Sequence, residues 1–576
     1  MTRFPPQVLR EYALLADGQR GALCGPQGAI VWMCAPRWHD DAVFTALLGG
    51  DGGYSITPVE RYVWGGSYED RSLIWRHRWV TTSTAVECRD ALAYPGDPRR
   101  VVLLRRIEAV EGEVRLRVRL DPRARFGAVP MSAPHRDAAG RWHATTGDLR
   151  VRWSGAPEAV VAEDGALVAE LTVPAGGQHD LVLELGDGAP GPAVDADSAW
   201  RATAASWRDA VPSMAGTLAP RDAQQASAVL RGLTAPGGGM VAAPTMSLPE
   251  RPEQGRNFDY RYTWVRDQCY AGIGVAAHGP GSVLADSTSF LTGLLLREGT
   301  SLSPACTVDG APVPPEEALD LPGYPGGQDV VKGNWVRGQL QLDTFGELLQ
   351  LLAAAARHDV LDGDGWRAIG VAADAVAEHW RSPEAGIWEL GEDWWTHSRL
   401  SCTAGLRAAA EVSPTAHEAN EMLALADAIL AETSRRCLHP RGHWQRTPHD
   451  TGPDAALLLP PVRGALRADD PRTRRTVAEV RSRLSVDRYV YRFPQDPHPL
   501  GSFEGAFLLC GFVMALAQWQ QGEPADALRW FERNRAACGP PGLFAEEYDV
   551  EQRQLRGNLP QAFVHAMLLE CAGRMR

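Results

Sequence analysis

The sequence lacks most of the signals that would assign it at a glance. No two of its ten cysteines (24, 34, 88, 269, 306, 402, 437, 510, 538 and 571) stand in a Cys-x-x-Cys spacing. That argues against a structural zinc site or a paired redox motif. Cysteines in apolar settings, such as Cys510 in Phe507-Leu508-Leu509-Cys510-Gly511-Phe512, read as buried, reduced thiols of a cytoplasmic protein. No run of about 18 apolar residues exists, so no membrane-spanning helix is expected. The opening, Met1-Thr2-Arg3-Phe4-Pro5-Pro6, has no apolar stretch behind its basic residue, so no secretory leader is expected. No short repeat of the solenoid kind is present. Basic charge is in deficit: 58 Lys and Arg against 71 Asp and Glu give a formal net charge of −13. Such a surface repels phosphate backbones, so no nucleic-acid partner is expected.

What is present is ordinary globular material in quantity. The 576 residues are 44% hydrophobic and 22% charged, enough for more than one domain with a large core. In the first third, Val114, Leu116, Val118 and Leu120 alternate with Arg115, Arg117 and Arg119. Period two predicts a strand with one buried and one wet face. Similar runs at Arg78–Thr81, Val101–Ile107, Leu149–Trp153, Ala166–Val173 and Asp180–Leu185, punctuated by Gly, Pro and Asp, predict an antiparallel β-sandwich. The Gly- and Pro-rich segment 186–192 breaks this pattern. From about Asp195 the period turns helical, with Trp200 and Trp207 one heptad apart. A second break at Ala235-Pro236-Gly237-Gly238-Gly239 precedes a long helical region. Helices are predicted over Trp335–Arg357, Trp366–Trp380, His417–Arg435, Phe503–Trp519 and Ala525–Ala537. About a dozen helices joined by long loops suit a closed helical toroid better than a four-helix bundle.

Three segments carry chemistry. Glu389 ends Gly386-Ile387-Trp388-Glu389. A tryptophan beside a carboxyl lowers local polarity and favours the protonated form, as a general acid requires. Glu546 opens Glu546-Glu547-Tyr548-Asp549, which taken alone reads first as a solvated turn, then as a helix cap or a metal site, and with its apolar flanks as the acidic mouth of a pocket. The third, Asp259 to Asp267, alternates Tyr260, Tyr262 and Trp264 with Arg261, Thr263 and Val265, then sets Arg266 beside Asp267. Aromatic planes beside fixed charges suit sugar recognition, and equally a core strand ending in a salt bridge. Two carboxylates with such a pocket are the minimum for cleaving a glycosidic bond. Weaker signals are Tyr491-Arg492-Phe493, a cation between aromatics, and His39-Asp40-Asp41, expected to be ordinary surface.

In this order the segments resemble glycoside hydrolase family 15, the glucoamylase and bacterial trehalase family. Further similar blocks are Gly28 to Arg37, Val241 to Glu250, Gln339 to Asp343, Thr396 to Arg399, Gly505 to Cys510 and Gly557 to Phe563. The resemblance spans nearly the whole chain. It implies a β-sandwich over 1–194, a helical linker over 195–230 and an (α/α)6 barrel over 231–576. It implies Glu389 as general acid and Glu546 as general base. It further implies that Arg266 and Asp267 hold glucosyl hydroxyls, with Tyr260, Trp264, Trp388, Glu547 and Arg492 in the same binding site. Leu390 departs from fungal glucoamylases, where a second acid follows the general acid. The segments 16–22 and 38–40 also stray from the commoner bacterial wording, and both departures bear on the leaving group.

The expectation is therefore an inverting, exo-acting α-glucoside hydrolase that releases β-glucose from malto- or isomalto-oligosaccharides. It needs no metal or cofactor. Its partner is a carbohydrate, with a homo-oligomer possible. An α,α-trehalase is the nearest alternative, and a carbohydrate-binding pseudoenzyme is the alternative of another class.

Overall fold

The computed structural model describes residues 6–188, 191–252, 255, 257–495 and 497–576. Met1 to Pro5, on which the reading of the opening rests, and residues 189–190 within the expected break lie outside the described residues. Two eight-stranded antiparallel sheets occupy the first third. One runs Ala13–Ala16, Gly21–Cys24, Ala29–Cys34, Gly53–Pro58, Val114–Asp121, Leu167–Val173 and Val160–Val161, with Ala42–Phe44 paired to Ala29–Cys34. The other runs Ser132–Arg136, Trp142–Thr146, Leu149–Ser154, Gln178–Gly186, Arg100–Glu111, Ala85–Leu92, Trp75–Val80 and Val63–Tyr68. The predicted alternation is seen directly. Val114, Leu116, Val118 and Leu120 are buried, while Arg115 and Arg117 face outward and pair with Glu170 across the strand. A single apolar cluster containing Trp75, Trp79, Trp153 and Tyr54 fills the space between the sheets.

Within that core, Cys24, His77 and Asp90 bring potential metal-ligand atoms within 4.8 Å of one another. The group is tied together by its own hydrogen bonds. Trp75 Nε1 donates to His77 Nδ1 at 3.2 Å, which leaves the ring proton on Nε2, 3.2 Å from Asp90 Oδ2. Arg105 grips the same carboxylate from Nε and the Nη2 amine at 2.9 and 2.8 Å.

Thirteen α-helices follow among the described residues. They are α1 (Ala196–Ala210), α2 (Pro220–Leu233), α3 (Val265–Ala276), α4 (Ser282–Glu298), α5 (Asp343–Arg357), α6 (Gly363–His379) and α7 (Thr396–Val412). Then come α8 (Ala416–Cys437), the short α9 (Leu459–Val462), α10 (Pro471–Arg483), α11 (Leu508–Gln520), α12 (Pro524–Arg535) and α13 (Ala562–Arg574). The heptad pair works at the seam with the sheets. In α1, Trp200 lies under the guanidinium of Arg89 at 4.6 Å, and Trp207 stacks on Tyr94 at 4.1 Å. Beyond it, α3 packs on α5, α5 on α7, α7 on α9, α9 on α11 and α11 on α13, and α13 returns to α3. The helices between them pack outside this ring: α4 on α3 and α5, α6 on α5, α8 on α7, and α12 on α11. No helix among the described residues is long and apolar enough to cross a membrane.

Three predicted elements are corrected. The helix expected from Trp335 begins only at Asp343, because Gly338 takes φ +87° and Gln341 turns its amide inward to bond other side chains. The helix expected from Phe503 begins at Leu508, because Ala506–Phe507 is claimed as a strand by Glu547–Asp549. In the 259–267 segment only Thr263–Trp264 is a strand, and α3 starts at Val265, so Arg266 and Asp267 stand in its first turn.

Candidate active site

The segments leading into the inner helices converge on a cavity of about 310 Å³. Trp264 immediately precedes α3. The loop carrying Glu389 precedes α7, Phe507 precedes α11, and Gln561 precedes α13. Helix N-termini carry partial positive charge, which suits a site rich in carboxylates. Eight of the nine residues singled out in the sequence line the cavity: Tyr260, Trp264, Arg266, Asp267, Trp388, Glu389, Arg492 and Glu546.

Glu547 does not line it. Glu547 opens the strand Glu547–Asp549, and its side chain turns away from the cavity that Glu546 lines. It is fully buried, and its Oε2 accepts the Gly505 backbone N–H at 2.6 Å. His39 is also elsewhere, stacked on Tyr262, while Asp40 pairs with Arg37.

Each of the two glutamates is held by an aromatic side chain. Trp264 Nε1 donates to Glu389 Oε1 at 2.9 Å. Gln341 Nε2 donates to the same oxygen at 3.0 Å, and Arg266 Nη2 lies 3.6 Å from it. Among the described residues, Glu389 Oε2 has no hydrogen-bond partner. The backbone of Glu389 takes φ +54° after Gly386 at +73°, an uncommon conformation for a side-chain-bearing residue that aims the carboxylate. The tryptophan expected to govern Glu389 does something else: Trp388 sends its N–H to Asp454 at 2.9 Å. Its ring forms part of the cavity wall and lies 5.4 Å from the Arg492 guanidinium.

Glu546 accepts the Tyr260 hydroxyl at 3.0 Å. Burial pushes its pKa well above the usual carboxylate range. The charge of Glu250 adds to the rise, against the opposing pull of Arg492 and the Tyr260 hydroxyl. The rings of Tyr260 and Trp264 sit edge to face, 5.6 Å apart, so one aromatic pair supports both carboxyls.

Arg266 and Asp267 do not form the salt bridge that their adjacency suggests. The ion pair of this segment is Arg261 with Asp259, buried and bidentate at 2.9 and 2.7 Å. Arg266 Nη1 instead donates to Gln341 at 2.7 Å and Asp343 at 3.2 Å. Asp267 accepts from Gln561 at 3.2 Å. Burial pushes its pKa up to about 7, opposed by Arg266 and helped by the charge of Glu389.

Sequence reading missed Gln341, Gln561, Glu250 and Asp454. The first three lie in segments already quoted for the resemblance.

A two-sheet domain joined to a ring of helices, with paired acids in a small aromatic cavity at one end of the ring, is the build of a glycosidase. The chain belongs to the glycosyl hydrolases family 15: that family's model matches residues 223–573, and a trehalase-like N-terminal model matches residues 5–207. The trehalase of Mycolicibacterium smegmatis is 29% identical, over 98% of this chain and 90% of its own length. Trehalase 1 of Sulfolobus acidocaldarius is 26% identical over 97% of this chain and 98% of its own. Among solved structures, a bacterial glucoamylase complexed with acarbose matches 99% of this chain and 94% of its own, with a TM-score of 0.74 at 14% identity. The family, the fold class and the glycosidase reading drawn from the sequence are borne out.

Proposed function

We propose that this glycosidase hydrolyses α-glucosides with inversion, and that α,α-trehalose is its substrate. The observation that carries the reading is the shared aromatic support: Trp264 on Glu389 and Tyr260 on Glu546, around one cavity. Glu389 protonates the glycosidic oxygen as the C1–O bond breaks. Glu546 takes a proton from the water that attacks C1 from the opposite ring face, and β-glucose leaves. Burial raises the proton affinity of Glu546, which makes its carboxylate a stronger base towards water. Asp267 and Arg266 bind hydroxyls of the glucosyl ring, and Tyr260, Trp264 and Trp388 supply its apolar walls.

The size of the cavity supports a disaccharide. About 310 Å³ is at the small end of the roughly 300–1,000 Å³ range of ligand sites. The near full-length relatives named trehalase support the same substrate. A second reading, exo-hydrolysis of malto- or isomalto-oligosaccharides, draws on the rim. Trp335 and Leu390 are about half exposed there and offer apolar surface to a further sugar. The presence of both acids in the cavity weighs against a non-hydrolytic binding protein.

Anomer-resolved NMR on trehalose, maltose and isomaltose tests the proposal. Inverting hydrolysis of trehalose releases one β- and one α-glucose in each early turnover. Release of α-glucose alone would overturn inversion, and turnover confined to maltose or isomaltose would overturn the substrate.

A further inference from the structure

The sandwich reaches the segment that carries Tyr260 and Trp264 through the loop holding His39, Asp40 and Asp41. Trp32 donates its indole N–H to the Pro244 carbonyl at 2.8 Å. The two residues before Pro244 run along that segment: Ala242 and Ala243 donate their N–H groups to the carbonyls of Tyr262 and Tyr260 at 2.8 and 3.0 Å. His39 stacks on Tyr262 with ring centroids 6.3 Å apart. Lys332 stands 4.0 Å from Asp41 and 5.8 Å from the ring of Phe126.

At the centre of this contact is Arg261, which is 1% exposed. Its Nη1 donates to the Asp40 carbonyl at 2.9 Å and to Cys34 Sγ at 3.3 Å, and its guanidinium lies 5.7 Å from the Phe126 ring. All three partners precede α1, in the sandwich part of the chain. Its Nε and Nη2 hold Asp259, whose Oδ2 also accepts the Gly333 N–H at 3.0 Å. A planar guanidinium bonded along two edges has one orientation open to it. The backbone on either side of Arg261 is fixed with it. That backbone carries Tyr260, bonded to Glu546, and Trp264, bonded to Glu389. Arg261 itself does not line the cavity.

We propose that Arg261 is a positioning residue of the hydrolysis, and that the sandwich contributes to catalysis through it. Cys34, Asp40 and Phe126 hold Arg261, and Arg261 sets the Tyr260 hydroxyl on Glu546 and the Trp264 N–H on Glu389. The proposal rests on these glutamates being the base and the acid. Two donors four residues apart meet two carboxylates around one cavity, so a small displacement of this one segment disturbs both. A misplacement of about 1 Å costs up to roughly 100-fold in rate. Charge balance alone would need only Asp259. The bonds to Asp40 and Cys34 tie the same group to the sandwich as well.

The test is kcat, KM and thermal melting for Arg261→Lys, alone and combined with Tyr260→Phe and with Trp264→Phe. The substrate is trehalose, or the disaccharide turned over fastest. Lysine keeps the charge opposite Asp259 and loses the fork. In Arg261→Lys, kcat should fall roughly 10–100-fold. The effects should not multiply, because a donor that is already gone cannot be misplaced. Coupling beyond about twofold with either partner supports the proposal, and effects that multiply to within about twofold in both pairs overturn it. Wild-type kcat in the folded fraction, whether with a lowered melting temperature or a raised KM, would also overturn it. Cys34→Ala with His39→Ala leaves the Arg261–Asp259 pair whole and removes two contacts of the sandwich loop. That variant should lose about fivefold in kcat, and carries the same two cycles if Arg261→Lys does not fold. If Glu389→Gln or Glu546→Gln keeps turnover, the acid and base assignment fails whatever Arg261 does. If both are inactive while the effects multiply, only this proposal fails.

Discussion

Trp264 donates its indole N–H to Glu389 at 2.9 Å from the residue immediately before α3, 125 positions away in the chain. The bond joins the loop that carries the proposed acid to the helix that carries Arg266 and Asp267. Trp264→Phe keeps most of the ring and deletes the donor. Hydrogen bonds to charged groups are worth about 1.5–3 kcal/mol, so kcat should fall roughly 10–100-fold. The melting temperature should stay near wild type, because the ring still packs on Tyr260. Steady-state kinetics beside thermal melting checks this, and a large fall in melting temperature with normal kcat would place Trp264 in the core alone.

The paired carboxyls are the second target. Glu389→Gln and Glu546→Gln should each fold and lose about 10²–10⁴-fold in kcat. Glu547→Gln should be milder on chemistry, since Glu547 lies behind the cavity wall and accepts a backbone N–H. Turnover by the three amides on one disaccharide ranks them. Should Glu547→Gln alone be inactive, the base would move by one position.

These predictions draw on the sequence unevenly, for physical reasons. Strands with one wet face declare themselves by period two, as Val114 to Leu120 do. Glu389 and Glu546 stood out because aromatic residues flank them, and the ordered blocks then fixed the family. Helix starts at Asp343 and Leu508 were not legible. The first depends on Gly338 and an inward-turned Gln341, the second on a strand pairing with residues some 40 positions later. Supporting residues were hidden for the same reason. Gln341 reaches Glu389 across 48 positions and Gln561 reaches Asp267 across 294, so neither contact leaves a local pattern. Adjacency also misled: Arg266 and Asp267 are neighbours with different partners, because a helix turn separates their directions.

Asp267 gives a prediction in pH. Its folded-state pKa is pushed from 3.8 up to about 7, chiefly by burial. The folded state therefore favours the protonated carboxyl. The associated stability is fully present below about pH 4 and is lost as pH rises towards 7. Asn cannot ionise and escapes that loss. Asp267→Asn should be close to wild type in stability at pH 4 and more stable at pH 8, by roughly 4 kcal/mol at most. Its kcat/KM should nevertheless fall at pH 7, because the acceptor proposed for the sugar hydroxyls is gone and binding energy there is used in the transition state. Urea unfolding at the two pH values, with kinetics at pH 7, checks both halves. A variant destabilised at pH 8 with normal kinetics would make Asp267 a structural anchor.

The loop that presents Glu389 has its own anchor. Glu384 and Arg399 form an ion pair at 2.8 Å with neither side chain exposed. Glu384 also accepts the backbone N–H of Gly386 at 2.8 Å and that of Leu342 at 3.2 Å, so one carboxylate ties the Glu389 loop to the entrance of α5. Arg399, on α7, further donates to the carbonyls of Trp380 and Ser382. Glu384→Ala would leave a buried guanidinium without its counter-charge, and breaking such a pair costs about 3–5 kcal/mol. Glu384→Gln retains an acceptor for the two N–H groups but not the charge, so it should lose less stability. Both variants should also lose kcat beyond the effect on folding, because the turn that sets Glu389 at positive φ loses its tether. Denaturant unfolding and kcat of the folded fraction separate the two effects. Normal kcat in a destabilised Glu384→Ala would show that Trp264 and Gln341 alone suffice to hold Glu389.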